Sequence, residues 1–373
     1  MSIHSVLKKE GIKIVAEIDA LTINTIARKI ADILSNSFPE QTLDRTDLFI
    51  SISRLKMYRA EMPVGLSDAK YYYKNNSIYF NQDIDLSNIT PVMIHECIHF
   101  LQQLKDSSGN LIRLGLSDYT SSQPTGTAIN EAAVQLMACE ANHNPVDNVK
   151  YYGISLNTIS PSHYPLQCVL VSQLAYFTGT YPLYHSVLYS NDIFKNTLIA
   201  KSDKKTFDTI CQNLDILIDM EDELSLMSHQ LNLHDNISKV NRINTSIDNR
   251  KKFIRSLFFE TQDLIIEKCF TKEFENIKDL EDVSNFQKLI YNFKNIIGYT
   301  DEYTYYNTFY CNMMHQLEQK KEYIENYGPI HLNETLKREL MEIKSTNRFL
   351  DFFRRFFTKL SKLLGVKDET SEY

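Results

Sequence analysis

Along the N-terminal half of the chain the spacing of apolar residues changes repeatedly, and each change predicts an element. Ile18, Leu21, Ile23, Ile26, Ile30 and Ile33 recur at mainly helical intervals and predict a helix over 18–37. Residues 48–58 alternate in part and predict a strand. Tyr71-Tyr72-Tyr73 and Ile78-Tyr79-Phe80 flank Lys74-Asn75-Asn76, which predicts a hairpin over 70–80, because Asn accepts the left-handed conformation of tight turns. Thr90 and Pro91 suit the N-cap and first position of a helix over 90–105. A polar stretch from Ser107 to Gly126 separates it from a second helix over 127–142, and a third follows over 165–178.

From about residue 200 the pattern turns uniformly helical. Leu217, Met220, Leu224, Met227 and Leu231 step by three and four, an apolar seam suited to a helical hairpin. Residues 250–325 keep a helical pattern through a stretch rich in tyrosine. The expected fold is therefore α+β and mainly helical. It has an N-terminal part over 1–199, with a small antiparallel sheet, and a helical C-terminal part over 200–373.

Composition narrows the class. Only 10 Gly and 9 Pro among 373 residues favour long helices over many short strands. The formal charge of −7 opposes a phosphate backbone, so nucleic acid is not the expected partner. The start of the chain lacks a signal-peptide pattern, and no run is long and uncharged enough to span a bilayer. The six cysteines are scattered without a CxxC pair, as expected for reduced thiols. A cytoplasmic location is expected on these grounds, with release by a route lacking a signal left open.

The chemistry concentrates in Ile94-His95-Glu96-Cys97-Ile98-His99. On a helix, residues four apart share a face one turn apart, so His95 and His99 can reach one metal ion. Glu96 then lies close to a metal-bound water, whose lowered pKa lets a carboxylate take its proton. Gln102 continues the histidine stripe, while Ile94, Ile98 and Leu101 form an apolar stripe for packing. Glu131 is the candidate third ligand. It falls in the otherwise apolar helix Ile129-Asn130-Glu131-Ala132-Ala133-Val134, where an unpaired carboxylate would be costly. Asn130 and Gln135 are candidates to support the ligands.

His95-Glu96-Cys97-Ile98-His99 followed by Asn130-Glu131 resembles the gluzincin branch of zinc metallopeptidases, including bacterial members with a similar Asn-Glu element. Ala132 stands where those proteins usually have Gly. The resemblance covers about residues 70–190. It implies a zincin-like core in which an edge strand, taken from the 70–80 hairpin, borders a cleft for a peptide or protein substrate. It also implies one zinc ion per chain held by His95, His99 and Glu131, with Glu96 as general base. The metzincin pattern fails, because Gln102 and Lys105 occupy its Gly and His positions. Gluzincins usually add a Tyr or His that donates to the developing oxyanion. Tyr151, Tyr152, His163 and Tyr164 are candidates, with Tyr164 preferred; His143 and His185 are not expected to be ligands.

Two other readings stand beside the peptidase. A zincin fold can serve binding alone, although an intact Glu96 is then unneeded. The second reading rests on residues 349–364, where Phe349, Phe353, Phe356, Leu360 and Leu363 form one stripe beside Arg354, Arg355, Lys359 and Lys362. Such a segment suits an anionic membrane surface or a partner's groove. It equally suits a last helix docked on its own chain.

Overall fold

Asp19 starts the first helix: its carboxylate accepts from the backbone N–H groups of Leu21 and Thr22, two donors that a helix N-terminus leaves free. Helix α1 (Ala20–Ser37) then buries Ile23, Ile26, Ala27, Ile30, Ala31 and Leu34, close to the predicted stripe. The computed structural model describes residues 7, 9–63, 68–121, 123–231, 237–297 and 305–330. The 349–364 segment lies outside these residues.

The predicted strand over 48–58 is corrected. Asp44 accepts from the Asp47 N–H at 2.8 Å and opens helix α2 (Arg45–Ile52), which buries Leu48 and Ile52 one turn apart. Partial alternation was outweighed by an N-cap and an i, i+4 pair. Strand β2 (Lys56–Glu61) begins only after it. β1 (Lys13–Glu17), β2, β3 (Ala69–Tyr72) and β4 (Ser77–Asn81) form a sheet in the order β1-β2-β4-β3. The sheet is mixed rather than antiparallel, because β2 runs parallel to β4. The β3–β4 hairpin is as predicted, with Asn76 in the left-handed region at φ 48°. β3 is an edge strand.

Helix α3 (Pro91–Leu101) is shorter than expected. Pro91 takes its first turn, but the Thr90 side chain makes no capping bond. Beyond Gln102 the chain enters β5 (Gln103–Lys105) in place of the helix's expected end; it joins β6 (Leu111–Leu114) and β7 (Ser117–Asp118), which lie within the expected polar loop, in a small sheet. Helix α4 (Thr127–Ala141) is followed by an unpredicted hairpin, β8 (Asp147–Tyr151) and β9 (Ile154–Thr158). Its two-residue turn, Tyr152–Gly153, has both residues at positive φ, the geometry that matches strand twist.

Helices α5 (Pro165–Thr178), α6 (Thr180–Tyr189) and α7 (Ile193–Lys201) lead into two long ones, α8 (Lys204–Leu231) and α9 (Ile237–Glu275). These two pack along each other, and the predicted seam holds: Leu217 and Leu224 are buried, with Met220, Met227 and Leu231 packed against them. α10 (Leu280–Phe293) and α11 (Tyr305–Tyr327) close the described chain. The structure is thus α+β and mainly helical. One hydrophobic cluster runs from Ile18 to Ile324, so the core continues across residue 200. Among the described residues no cysteine is in a disulfide, and no helix is long and apolar enough to cross a membrane.

Candidate metal centre

Helix α3 packs between β3 and α4. Met93, Ile94, Cys97 and Ile98 anchor it in the core, which leaves His95 and His99 on the face toward α4. From α4, Glu131 and Gln135 project one turn apart toward the same point. The His95 and His99 Nε2 atoms are 2.9 Å apart. The Glu131 carboxylate brings Oε2 to 3.2 Å from His95 Nε2 and Oε1 to 3.4 Å from His99 Nε2. The His95 and His99 side chains are 7% and 8% exposed, and that of Glu131 19%. Among the described residues no other group of His, Cys, Asp or Glu converges in this way.

The other ring nitrogens are held too. His95 Nδ1 meets Gln135 Oε1 at 2.9 Å; an acceptor there places the ring proton on Nδ1 and turns the Nε2 lone pair inward. His99 Nδ1 meets the Gln102 amide at 2.7 Å. With the Gln102 NH2 facing it, His99 carries its proton on Nε2, between the rings. Turning that amide over gives His99 the same tautomer as His95, and it gives a donor to Gln102 Oε1, which otherwise is buried without one. Asn130 has a different task from the one expected: its Oδ1 accepts from the Leu116 N–H at 3.0 Å and fastens α4 to the β6–β7 turn.

Two carboxylates close enough to feel each other's charge are driven in opposite directions. Burial pushes Glu131 up, but the charges of His99 and His95 and their hydrogen bonds overcome it and hold the group well below the usual carboxylate range. Glu96 is 7% exposed, and burial pushes its carboxyl up to about 7. Glu96 Oε2 accepts the Tyr71 N–H at 2.6 Å. That donor is available because of register. Asp68 C=O accepts from the Asn81 N–H, so Lys70 and Tyr72 face β4 while the backbone of Ala69 and Tyr71 points outward from the edge.

Tyr164 reaches the centre. It sits at φ 52° just before α5, and its ring stacks 6.4 Å from that of His95. The Glu131 charge, followed by burial, drives its phenol well above the ordinary pKa, so it stays protonated. His163 is next to it, and its pKa is lowered, first by burial and then by His95. Tyr151 donates to the Pro161 carbonyl, and Tyr152 lies near Glu221, whose charge adds to burial in raising its pKa. His143 lies beyond the end of α4, and His185 stacks between Tyr181 and Tyr189 on α6. Tyr119 stands close enough to Glu131 for that carboxylate, after burial, to raise its phenol pKa. Neither Tyr119 nor the Tyr71 N–H carries a signal in the local sequence, since both come from strand register and loop path.

The donor set fits zinc. Ligands about 2.0–2.1 Å from a tetrahedral zinc stand about 3.3 Å from one another, close to the spacing of these three atoms. Two imidazoles and a carboxylate are also a set that zinc uses. Compared with protein-family models, with curated proteins and with solved structures, the chain matches none.

Proposed function

We propose that the chain is a zinc-dependent metallohydrolase, a peptidase of gluzincin type with a zincin-like core, in which His95, His99 and Glu131 bind the metal. The observation that carries this reading is the convergence of the two Nε2 atoms and the Glu131 carboxylate within 3.4 Å, with both Nδ1 atoms anchored from behind. Bound zinc would supply a Lewis acid and a water of lowered pKa.

The residues around it divide the remaining work. Glu96, next to His95 on the same helix, would take a proton from that water and return it to a leaving amine. The Tyr71 N–H holds one of its oxygens, which leaves the other for proton transfer. Tyr164 keeps its proton and can donate to a developing oxyanion.

The same Tyr71–Glu96 bond favours a second reading, a metal-dependent binding protein in which Glu96 only ties β3 to α3. One experiment separates the two. Wild type, His99→Ala and Glu96→Gln are compared for zinc content by elemental mass spectrometry and for cleavage of a mixed peptide library. The peptidase reading expects about one zinc per chain in wild type and Glu96→Gln, little in His99→Ala, and cleavage by wild type alone. Zinc without cleavage supports the binding reading. No zinc after reconstitution removes both.

A further inference from the structure

The helix that carries Glu131 lacks its own cap. Its N-terminal flanking residue is Gly126, which has no side chain to accept the free N–H groups of the first turn. Nor can one be added locally. Gly126 sits at φ +71°, and a Cβ there would stand 3.2 Å from the Leu116 carbonyl oxygen. The missing acceptor arrives from far along the chain. Asp215, on α8, accepts from the Ala128 N–H with Oδ1 at 2.8 Å and from the Gly126 N–H with Oδ2 at 3.0 Å. It also places a negative charge at the positive end of the α4 dipole.

We propose that Asp215 is a positioning residue for the metal centre: by clamping the first turn of α4 it sets where Glu131 stands relative to His95 and His99. The inference rests on the zinc reading above. Glu131 is only one turn beyond the clamped residues. The Ser117 hydroxyl on the Gly126 carbonyl and the Asn130 amide on the Leu116 N–H hold the same turn to the β6–β7 loop, so Asp215 completes a three-sided grip. A metal shell tolerates only about 0.2 Å of error in each ligand. Fraying this turn therefore acts on the Glu131 ligand before it acts on the histidines, which stand on a different helix. The helical region beyond residue 200 thus contributes to the site without touching it.

The test measures zinc affinity by competition with a chromophoric chelator, and the visible absorption of the cobalt-substituted full-length chain. Wild type, Asp215→Ala, Asp215→Asn and Leu317→Ala are compared. Leu317 is buried on α11, and its truncation lowers overall stability without touching α4. Asp215→Ala is expected to weaken zinc about tenfold or more and to change the cobalt spectrum. Asp215→Asn keeps one oxygen for the Ala128 N–H and falls between; it also serves if Asp215→Ala does not fold. Leu317→Ala is expected to lose thermal stability while keeping wild-type affinity and spectrum. Wild-type affinity in the Asp215 variants, or an equal loss in Leu317→Ala, overturns the proposal. A wild-type chain that binds no zinc instead removes the metal reading itself, so the two failures are distinguishable.

Discussion

Glu221 offers a quantitative test of how tightly the helical region is joined to the site. It lies on α8, where the Gln167 side-chain N–H donates to its Oε2 at 2.6 Å. Burial pushes its carboxyl from 4.5 up to about 7, more than the Gln167 bond pulls it back. A folded-state pKa above the unfolded one means that the native state favours the protonated form. Stability from this group is complete below about 4.5 and is lost as pH rises through about 7. Integrating the two titration curves gives a loss of about 2.5 kcal/mol between about pH 5 and about pH 8. Glu221→Gln keeps the shape and removes the ionisation. Urea unfolding of both proteins at the two pH values should show the variant gaining about that amount on wild type as pH rises. Glu96 also has a pKa about 7 but is common to both, so the difference isolates Glu221. A stability gap that does not change between the two pH values would refute the reasoning.

Other perturbations probe the centre directly. Gln135→Leu removes the acceptor on His95 Nδ1 while preserving bulk, and should weaken zinc about 10- to 100-fold in chelator competition. Gly115→Ala should cost at least about 1–2 kcal/mol from its left-handed backbone at φ 57°, seen in urea unfolding. Its Cβ would also press on the Asn130 and Gln102 side-chain oxygens, so zinc affinity should fall with stability. Tyr164→Phe should retain zinc and lower kcat about 100-fold in a cleavage assay if its hydroxyl serves the oxyanion.

Much of the fold was legible where local signals agreed. Asn76 in a two-sided aromatic run gave the β3–β4 hairpin, Pro91 the start of α3, and the Leu217–Leu231 seam the packing of α8 on α9. Legibility failed where signals competed. Over 48–58 the alternation hid a cap at Asp44 that lay just outside the apolar run. The β8–β9 hairpin has a Tyr-Gly turn whose first residue is not a usual left-handed one, and its strand β8 buries little. The parallel pairing of β2 with β4 depends on a crossover, which no periodicity encodes.

The candidate site divides along the same line, and the division has a physical cause. His95, Glu96 and His99 share one helix, so their spacing alone fixes their relation. Gln102 and Gln135 were legible for a similar reason, each one turn from a ligand on the ligand's own helix. The contacts that reach these two helices from elsewhere in the chain were not. The Tyr71 N–H reaches Glu96 because β3 is an edge whose outward register falls at that residue. Asp215 reaches α4 from 89 residues away because α8 packs beside it. Chain separation erases such pairs from local pattern, yet they set the distance between α3 and α4, and hence whether three ligand atoms meet at one point. The motif therefore specifies which atoms are placed to hold a metal. The core shared by both halves of the chain specifies how well they can do so.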